Sequence, residues 1–193
     1  MASASLFSRL ILRRMEPADI SAVVEVERSA FGHNWPATAF ERELTQNRMA
    51  RYVVLDTGSE IAGFGGIWLM VDEAHVVTVA VPPRYRRHGL GRLIVHGLVQ
   101  LAQCEGMLDA TLECRVSNTA ARALYARYGF YEVGLRPRYY QDTQEDAVVM
   151  TTEPLASEPY QRRLQRLEEE LAVMLPGVSN RVAGCCVPAA GRG

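Results

Sequence analysis

The chain has 193 residues, 48% hydrophobic and 22% charged, which is enough apolar material for one sizeable core inside an ordinary polar surface. A formal net charge of −1 excludes a global electrostatic pull toward nucleic acid or an anionic membrane. No apolar run reaches the roughly eighteen residues that a membrane-spanning helix needs.

The N-terminal stretch MASASLFSRLILRR holds no uninterrupted apolar segment, because Arg9 breaks it, and it does not read as a signal peptide. Residues 9–15 (RLILRRM) suggest a first strand. Pro17-Ala18-Asp19 opens a helix that carries Ile20, Val23, Val24 and Val26 through Ala30, and a second helix follows Trp35-Pro36 with Phe40 and Leu44 on its apolar face. Residues 51–56 (RYVVLD) and 60–71 read as a hairpin turned at Thr57-Gly58-Ser59. Ala74–Val81 (AHVVTVAV) is apolar and β-branched, a buried strand closed by Pro82-Pro83. A helix from Leu90 to about residue 102 follows, and then a strand over 109–115. The next helix, at about 119–128, is capped by Asn118 or Thr119 and stopped at Gly129, and the last strands fit 130–136 and 147–153. This β-α-α-β-β-β-α-β-α-β-β order predicts an α/β fold, a mixed sheet flanked by helices in a single domain over residues 9–153.

Beyond Pro154 the pattern changes. Tyr160, Leu164, Leu167, Leu171 and Met174 are spaced 4, 3, 4, 3, so residues 154–176 form an amphipathic C-terminal helix with one apolar stripe. Two fates are open for that stripe. It packs back on the domain, or its heptad spacing serves a dimer or partner contact. Residues 177–193, rich in Gly, Ala, Pro and Val, read as a disordered tail.

Cysteines stand at 104, 114, 185 and 186 without C-x-x-C spacing, and His33, His75, His88 and His96 complete no metal-ligand pattern, so no metal is expected. Cys104 and Cys114 read as small buried hydrophobes, while Cys185-Cys186 in the tail are open to oxidation. Together with the absent signal peptide, this leads us to expect a reducing cytoplasm.

The stretch Arg86-Arg87-His88-Gly89-Leu90-Gly91-Arg92 joins the buried strand to the helix that carries Leu93, Ile94, Leu98, Leu101 and Ala102. A strand that turns through two glycines into a helix N-terminus makes an anion site, because the first amides lack intrahelical partners and the helix dipole adds about half a positive charge. Gly89 and Gly91 would let an anion approach the backbone, and Arg86, Arg87 and Arg92 add charge. Neither a P-loop nor a dinucleotide fingerprint is present. By themselves the glycines fit a plain tight turn equally well.

The second half of the chain separates those readings. Residues 112–130, LECRVSNTAARALYARYGF, follow the loop at a fixed distance and precede Tyr139-Tyr140 and then Glu145-Asp146-Ala147-Val148-Val149-Met150. Together with Arg86-x-x-Gly89-x-Gly91, they resemble the GNAT superfamily of acetyl-CoA-dependent N-acetyltransferases, and more narrowly the ribosomal-protein-alanine N-acetyltransferases of the RimI type. The resemblance covers roughly residues 9–153, including Phe31-Gly32-His33-Asn34-Trp35-Pro36. It implies that Arg87, His88, Gly89, Leu90, Gly91 and Arg92 form the coenzyme pyrophosphate loop. It also implies that the pantetheine arm runs along the backbone of Val79, Ala80 and Val81, and that Asn118, besides capping its helix, contacts the coenzyme. Trp35, Tyr139 and Tyr140 correspond to the walls that hold the peptide.

Acetyl transfer from a thioester requires a deprotonated amine, a stabilised oxyanion and a protonated leaving thiolate. At pH 7 about 14% of an α-amino group is neutral against about 0.04% of a lysine, so a chain N-terminus needs only a modest base. Glu113 lies in an otherwise apolar strand whose alternation puts it on the face opposite Leu112 and Cys114. A salt bridge, to an arginine such as Arg115, would explain it structurally, whereas the resemblance makes it the proton acceptor. Tyr125 shares a helical face with Ala121, Leu124 and Tyr128, so its default is a buried tyrosine. The resemblance makes it the donor to the thiolate, a role suited to a phenol with pKa near 10.

Three departures from the family pattern stand out. Pro82-Pro83 replaces Asp-Pro, Cys114 replaces valine, and Gly97, in mid-helix, costs about 1 kcal/mol against alanine with no reason visible in the sequence. The resemblance implies an acetyl-CoA-dependent α-amino acetyltransferase acting on an N-terminal alanine of a ribosomal protein or a similar N-terminus, by direct attack. The alternatives are acetylation of small amines or lysine side chains, or a non-catalytic acyl-CoA-binding module.

Overall fold

Eight strands join one mixed sheet. In the computed structural model, which describes residues 9–32 and 35–182, these are β1 (Leu10–Arg14), β2 (Ala50–Asp56), β3 (Ile61–Met70), β4 (Glu73–Ala80), β5 (Asp109–Arg115), β6 (Tyr131–Tyr140), β7 (Glu145–Thr151) and β8 (Val178–Asn180). Their order across the sheet is β6-β7-β5-β4-β3-β2-β1-β8. The helices are α1 (Ile20–Phe31), α2 (Ala37–Thr45), α3 (Leu90–Cys104), α4 (Thr119–Arg127) and α5 (Glu158–Met174). The order read from the sequence holds through β7 and the C-terminal helix α5, and β8 is added after them. His33, Asn34, Cys185 and Cys186 lie outside the described residues.

The sheet separates two apolar clusters. α1 and α2 supply Val23, Val26 and Phe40 to one, where they meet Tyr52, Val54 and Phe64. α3, α4 and α5 supply Ile94, Leu98, Tyr128 and Leu167 to the other, against Leu12, Val53, Leu55 and Leu112. Along β3 and β4 the register slips between Gly66 and Ile67, a bulge that bends the strand pair. The parallel pairing of β4 with β5 runs from Glu73↔Asp109 to Val76↔Leu112 and stops there. Beyond that point β5 stays paired with β7 through Glu113, Cys114 and Arg115, while β4 stays paired with β3 through Thr78, Val79 and Ala80. The two strands therefore part in the middle of the sheet.

Gly97 finds its explanation in packing. A Cβ built on it would come within 2.3 Å of Leu12 Cδ2, and Leu12 is fully buried under α3. The helix lies so close to β1 at this point that any side chain here would have to displace the buried Leu12.

α5 begins at Ser157, whose hydroxyl accepts from the Tyr160 amide at 3.4 Å, with Pro159 in the first turn. Tyr160, Leu164, Leu167 and Leu171 are buried in the core of their own chain, so the apolar stripe packs back on the domain, while Met174 is exposed. The Tyr160 hydroxyl donates to the Tyr128 carbonyl at 2.9 Å. Gln103, at the C-terminal end of α3, donates to the Leu155 carbonyl just before α5. The other end of α5 brings Met174 against Gly89, so α5 runs antiparallel to α3 along its outer side.

Two expectations are corrected. The tail is not irregular from residue 177. Val178–Asn180 form β8, parallel to β1, and Val182 is fully buried, because these apolar residues complete a sheet edge and a core that α5 leaves open. Cys104 is exposed rather than buried, since it sits on the last turn of α3 where that helix emerges from the core. Cys114 is buried as expected.

Candidate active site

The glycine loop follows the C-terminal end of β4, beyond the point where β4 and β5 part. Gly89, the residue before α3, has φ +83°, and the first amide with a partner after it is that of Leu93, donating to the Gly89 carbonyl at 3.1 Å. The amides of Leu90, Gly91 and Arg92 therefore open the helix as free donors. Arg87 also lies in the left-handed region at φ +68°, unusual for a side-chain-bearing residue. His88 is exposed and its Nδ1 lies 2.7 Å from the Arg86 carbonyl. Arg86 turns away from the loop, donating to the Val81 and Ala30 carbonyls, and ties it to α1. The open faces of the two glycines do not look into solvent: a Cβ on Gly89 would strike Met174 Sδ at 2.4 Å, and one on Gly91 would touch Leu124. These glycines serve backbone conformation and helix packing, and the donors that the loop leaves without partners are the amides themselves.

Val79 and Ala80 pair with Gly65 and Phe64 of β3 on one side, and the register leaves their other edge without a β5 partner. Within this opening, β5 directs alternate side chains to its two faces. Ala110, Leu112 and Cys114 enter the α3–α4 side, whereas Glu113 and Thr111 face the other. The Glu113 side chain is only 6% exposed and lies 3.0 Å from His75 Nε2 and 3.2 Å from Arg136. Its pKa is lowered, first by the hydrogen bond from His75, against the opposing effect of burial, with the charges of His75 and Arg136 adding to the lowering. Arg115, the partner anticipated from the sequence, instead engages Asp142 at 2.8 Å and Glu145 at 3.4 Å. The two residues share a face, but the β6–β7 turn reaches Arg115 first.

His75 and Thr111 are placed opposite each other by the parallel register. Thr111 Oγ1 donates to Glu73 at 2.8 Å, so the contact of 3.1 Å between His75 Nδ1 and Thr111 Oγ1 requires the histidine to donate. Nε2 is then left to face the Glu113 carboxylate. With a proton on Nε2 this is an ion pair; without one, two lone pairs would meet. A relay Glu73–Thr111–His75–Glu113 results. His75, Thr111 and Arg136 were not among the candidates read from the sequence. The detectable signal was a histidine in period-2 phase with the strand pair.

Tyr125 is buried on α4, edge-on to Phe130 with ring centroids 5.7 Å apart, and burial pushes its pKa upward. It belongs to the same side of the sheet as Cys114, so it stands across β5 from Glu113. Asn118 caps α4, its Oδ1 accepting from the Ala121 amide at 3.1 Å. The Tyr140 hydroxyl donates to the Glu113 carbonyl at 3.3 Å, its ring lies under the Arg115 guanidinium, and Tyr139 packs edge-on to it. The Glu113 charge raises the pKa of both tyrosines, though burial contributes more. Glu145 and Asp146 hold this turn in place. The former accepts from the Ser117 amide at 2.8 Å and the latter from the Arg138 amide at 2.7 Å. Trp35 is exposed and leans on Phe40 at 5.8 Å on the α1–α2 side of the sheet. The tyrosine pair is thus united with Glu113, while Trp35 is seated on a different element.

Residues 20–130 match the model of the acetyltransferase (GNAT) family. The chain is 34% identical over 140 residues to the [ribosomal protein bS18]-alanine N-acetyltransferase of Escherichia coli (strain K12), covering 70% of this chain and 92% of that protein. It is 37% identical over 139 residues to the N-alpha-acetyltransferase RimI of Mycobacterium tuberculosis (strain ATCC 25618 / H37Rv), covering 69% of this chain and 85% of that one. Among solved structures, the ribosomal-protein-S18-alanine N-acetyltransferase from Escherichia coli superposes with a TM-score of 0.69 at 32% identity, over 77% of this chain and 97% of that one.

Proposed function

Since the chain belongs to the GNAT family of acetyltransferases and is an N-acetyltransferase, we propose that it transfers acetyl from acetyl-CoA to the α-amino group of a protein N-terminus, such as the alanine of a ribosomal protein. The observation that carries this reading is Glu113: a carboxylate sunk at the parting of β4 and β5, with a histidine relay behind it and two tyrosines beside it. The residues also fit the coenzyme. Free amides at the start of α3 and Arg92 suit its phosphates, and the edge of Val79 and Ala80 that β5 leaves unpaired, continued by Val81, suits an amide-bearing arm. When bound, acetyl-CoA supplies the activated acyl group.

Glu113 and Tyr125 divide the work across β5. An amine arriving on the tyrosine-walled side meets Glu113, which takes its proton directly or through a water. The lowered pKa of Glu113 makes it a weak base, and a weak base suffices for an α-amine because about 14% of it is already neutral at pH 7. A lysine, with about 0.04% neutral, would need a stronger one. His75 holds the carboxylate oriented, and the relay gives the captured proton a path toward Glu73. On the other side, the raised pKa of Tyr125 keeps its phenol protonated, ready to donate to a thiolate whose ordinary pKa is about 8.5. The β4 amides beside the gap supply donors for the developing oxyanion.

The direct test is to incubate the purified chain with acetyl-CoA and two peptides, one starting Ala-Arg with a free α-amine and one N-blocked with an internal lysine, following thiol release and mass shift. Acetylation of the free N-terminus alone is the expected outcome. Acetylation of the blocked peptide would move the assignment to lysine.

A further inference from the structure

The C-terminal helix reaches the coenzyme loop with a negative charge. Glu170, one turn from the end of α5, forms a 2.7 Å ion pair with Arg92 in the first turn of α3. It makes a second ion pair with Arg127 at the end of α4. Met174, one turn further, covers Gly89, and its sulfur lies 3.9 Å from the Arg92 guanidinium. Arg92 Nε is buried and has no hydrogen-bond partner among the described residues. Two guanidinium groups from two helices thus converge on a single carboxylate beside the free amides of Leu90 and Gly91. The loop and α4 lie within the family match, whereas α5 lies beyond it.

We infer that Arg92 and Arg127 form a phosphate subsite of the coenzyme, and that Glu170 is its resident anion, displaced when the coenzyme binds. The arrangement holds two positive charges against one negative one and leaves an unused donor on Arg92, so it is built for an acceptor with more oxygens than a carboxylate has. A phosphate offers three and suits paired guanidinium forks. The carboxylate is held charged, its pKa lowered first by the hydrogen bond from Arg127, so the competition operates at neutral pH. Two phosphates of acetyl-CoA have this chemistry, the pyrophosphate bridge and the ribose 3′-phosphate. This inference rests on the acetyl-CoA reading above.

The test is calorimetric binding of coenzyme A and of 3′-dephospho-coenzyme A to the full chain, to Glu170→Gln and to Arg127→Gln. Removal of the competing carboxylate is expected to tighten binding about two- to fivefold, the scale of a partly exposed ion pair. Arg127→Gln is expected to weaken it by a similar factor. Tightening confined to coenzyme A would identify the 3′-phosphate as the occupant, and equal tightening for both would identify the pyrophosphate. Loosening α5 would also withdraw the carboxylate, so the thermal midpoint is read alongside: tightening by Glu170→Gln with an unchanged midpoint supports competition, and tightening that comes only with a lowered midpoint assigns the effect to a loosened helix and overturns the inference. Unchanged or weaker binding by Glu170→Gln, with the wild type binding normally, overturns this inference alone. Failure of the wild type to bind either coenzyme overturns the acetyl-CoA reading and this inference with it.

Discussion

Glu27 offers the sharpest quantitative check on the core. It projects from α1 with only 5% of its surface exposed, and its Oε2 has no hydrogen-bond partner among the described residues. Burial raises its pKa from 4.5 to about 7. The sign follows from linkage: the folded state favours the protonated acid, so the penalty is small below pH 4.5, grows between 4.5 and about 7, and levels off above that. At 1.36 kcal/mol per unit the penalty is about 3 kcal/mol at pH 8 and about 1 kcal/mol at pH 5. Glu27→Met removes the titration and keeps the volume. Urea unfolding of wild type and variant at both pH values should show a variant advantage larger by about 2–3 kcal/mol at pH 8 than at pH 5. Buried His96 works with the opposite pH sign, its pKa lowered to about 4, but it is present in both proteins and cancels in the difference. An advantage of equal size at the two pH values would show that Glu27 does not titrate upward and would refute the reasoning.

Three further outcomes are expected. Glu113→Gln keeps the shape that His75 and Arg136 surround but cannot accept a proton, so kcat should fall about 10²–10⁴-fold while coenzyme binding by calorimetry stays intact; turnover within a factor of about three of wild type would remove Glu113 as the base. Tyr125→Phe should leave peptide binding unchanged and lower kcat over a similar range, and single-turnover thiol release is the measurement that decides it. Leu167→Ala empties a site in the core that is only 1% exposed and should cost about 2–5 kcal/mol, seen as a lower thermal midpoint independent of protein concentration. A midpoint that rises with concentration would mean that α5 is shared between chains.

Local pattern made most of the fold legible. The strands from β1 to β7 were read from short local runs, plainest in the β-branched AHVVTVAV of β4, and the first four helices from apolar spacing and turn residues, because those signals are written within a dozen residues. The phase of Glu113 against Leu112 and Cys114 was legible for the same reason. What the pattern could not give is which side chains meet across elements. Glu113 and Arg115 share a face of β5, so an ion pair between them is a reasonable local expectation. The partner is decided instead by the parallel register that sets His75 opposite Thr111 and by the turn that delivers Asp142 to Arg115. Gly97 likewise looks like a flaw until Leu12, eighty-five positions earlier, is seen beneath it.

The C-terminal segment shows where local reading stops and why. Its apolar stripe was plain, but a stripe states only that something must cover it, and spacing of 4 and 3 serves a packed helix and a coiled coil equally. Here α3 supplies the cover: its Arg92 and Gln103 touch α5 and the segment before it, and buried His96 and Val99 lie between them on the same helical face. A helix that covers this face antiparallel to α3 must end near the start of α3, where the free amides lie. The position of Glu170 beside Arg92 is therefore a consequence of core packing, and any anion bound at the loop meets the last turns of α5. Stability of the extension and occupancy of the loop are coupled by that geometry, so a change that loosens α5, such as Leu167→Ala, should also alter the affinity for coenzyme A, while a change on the far edge of the sheet should not.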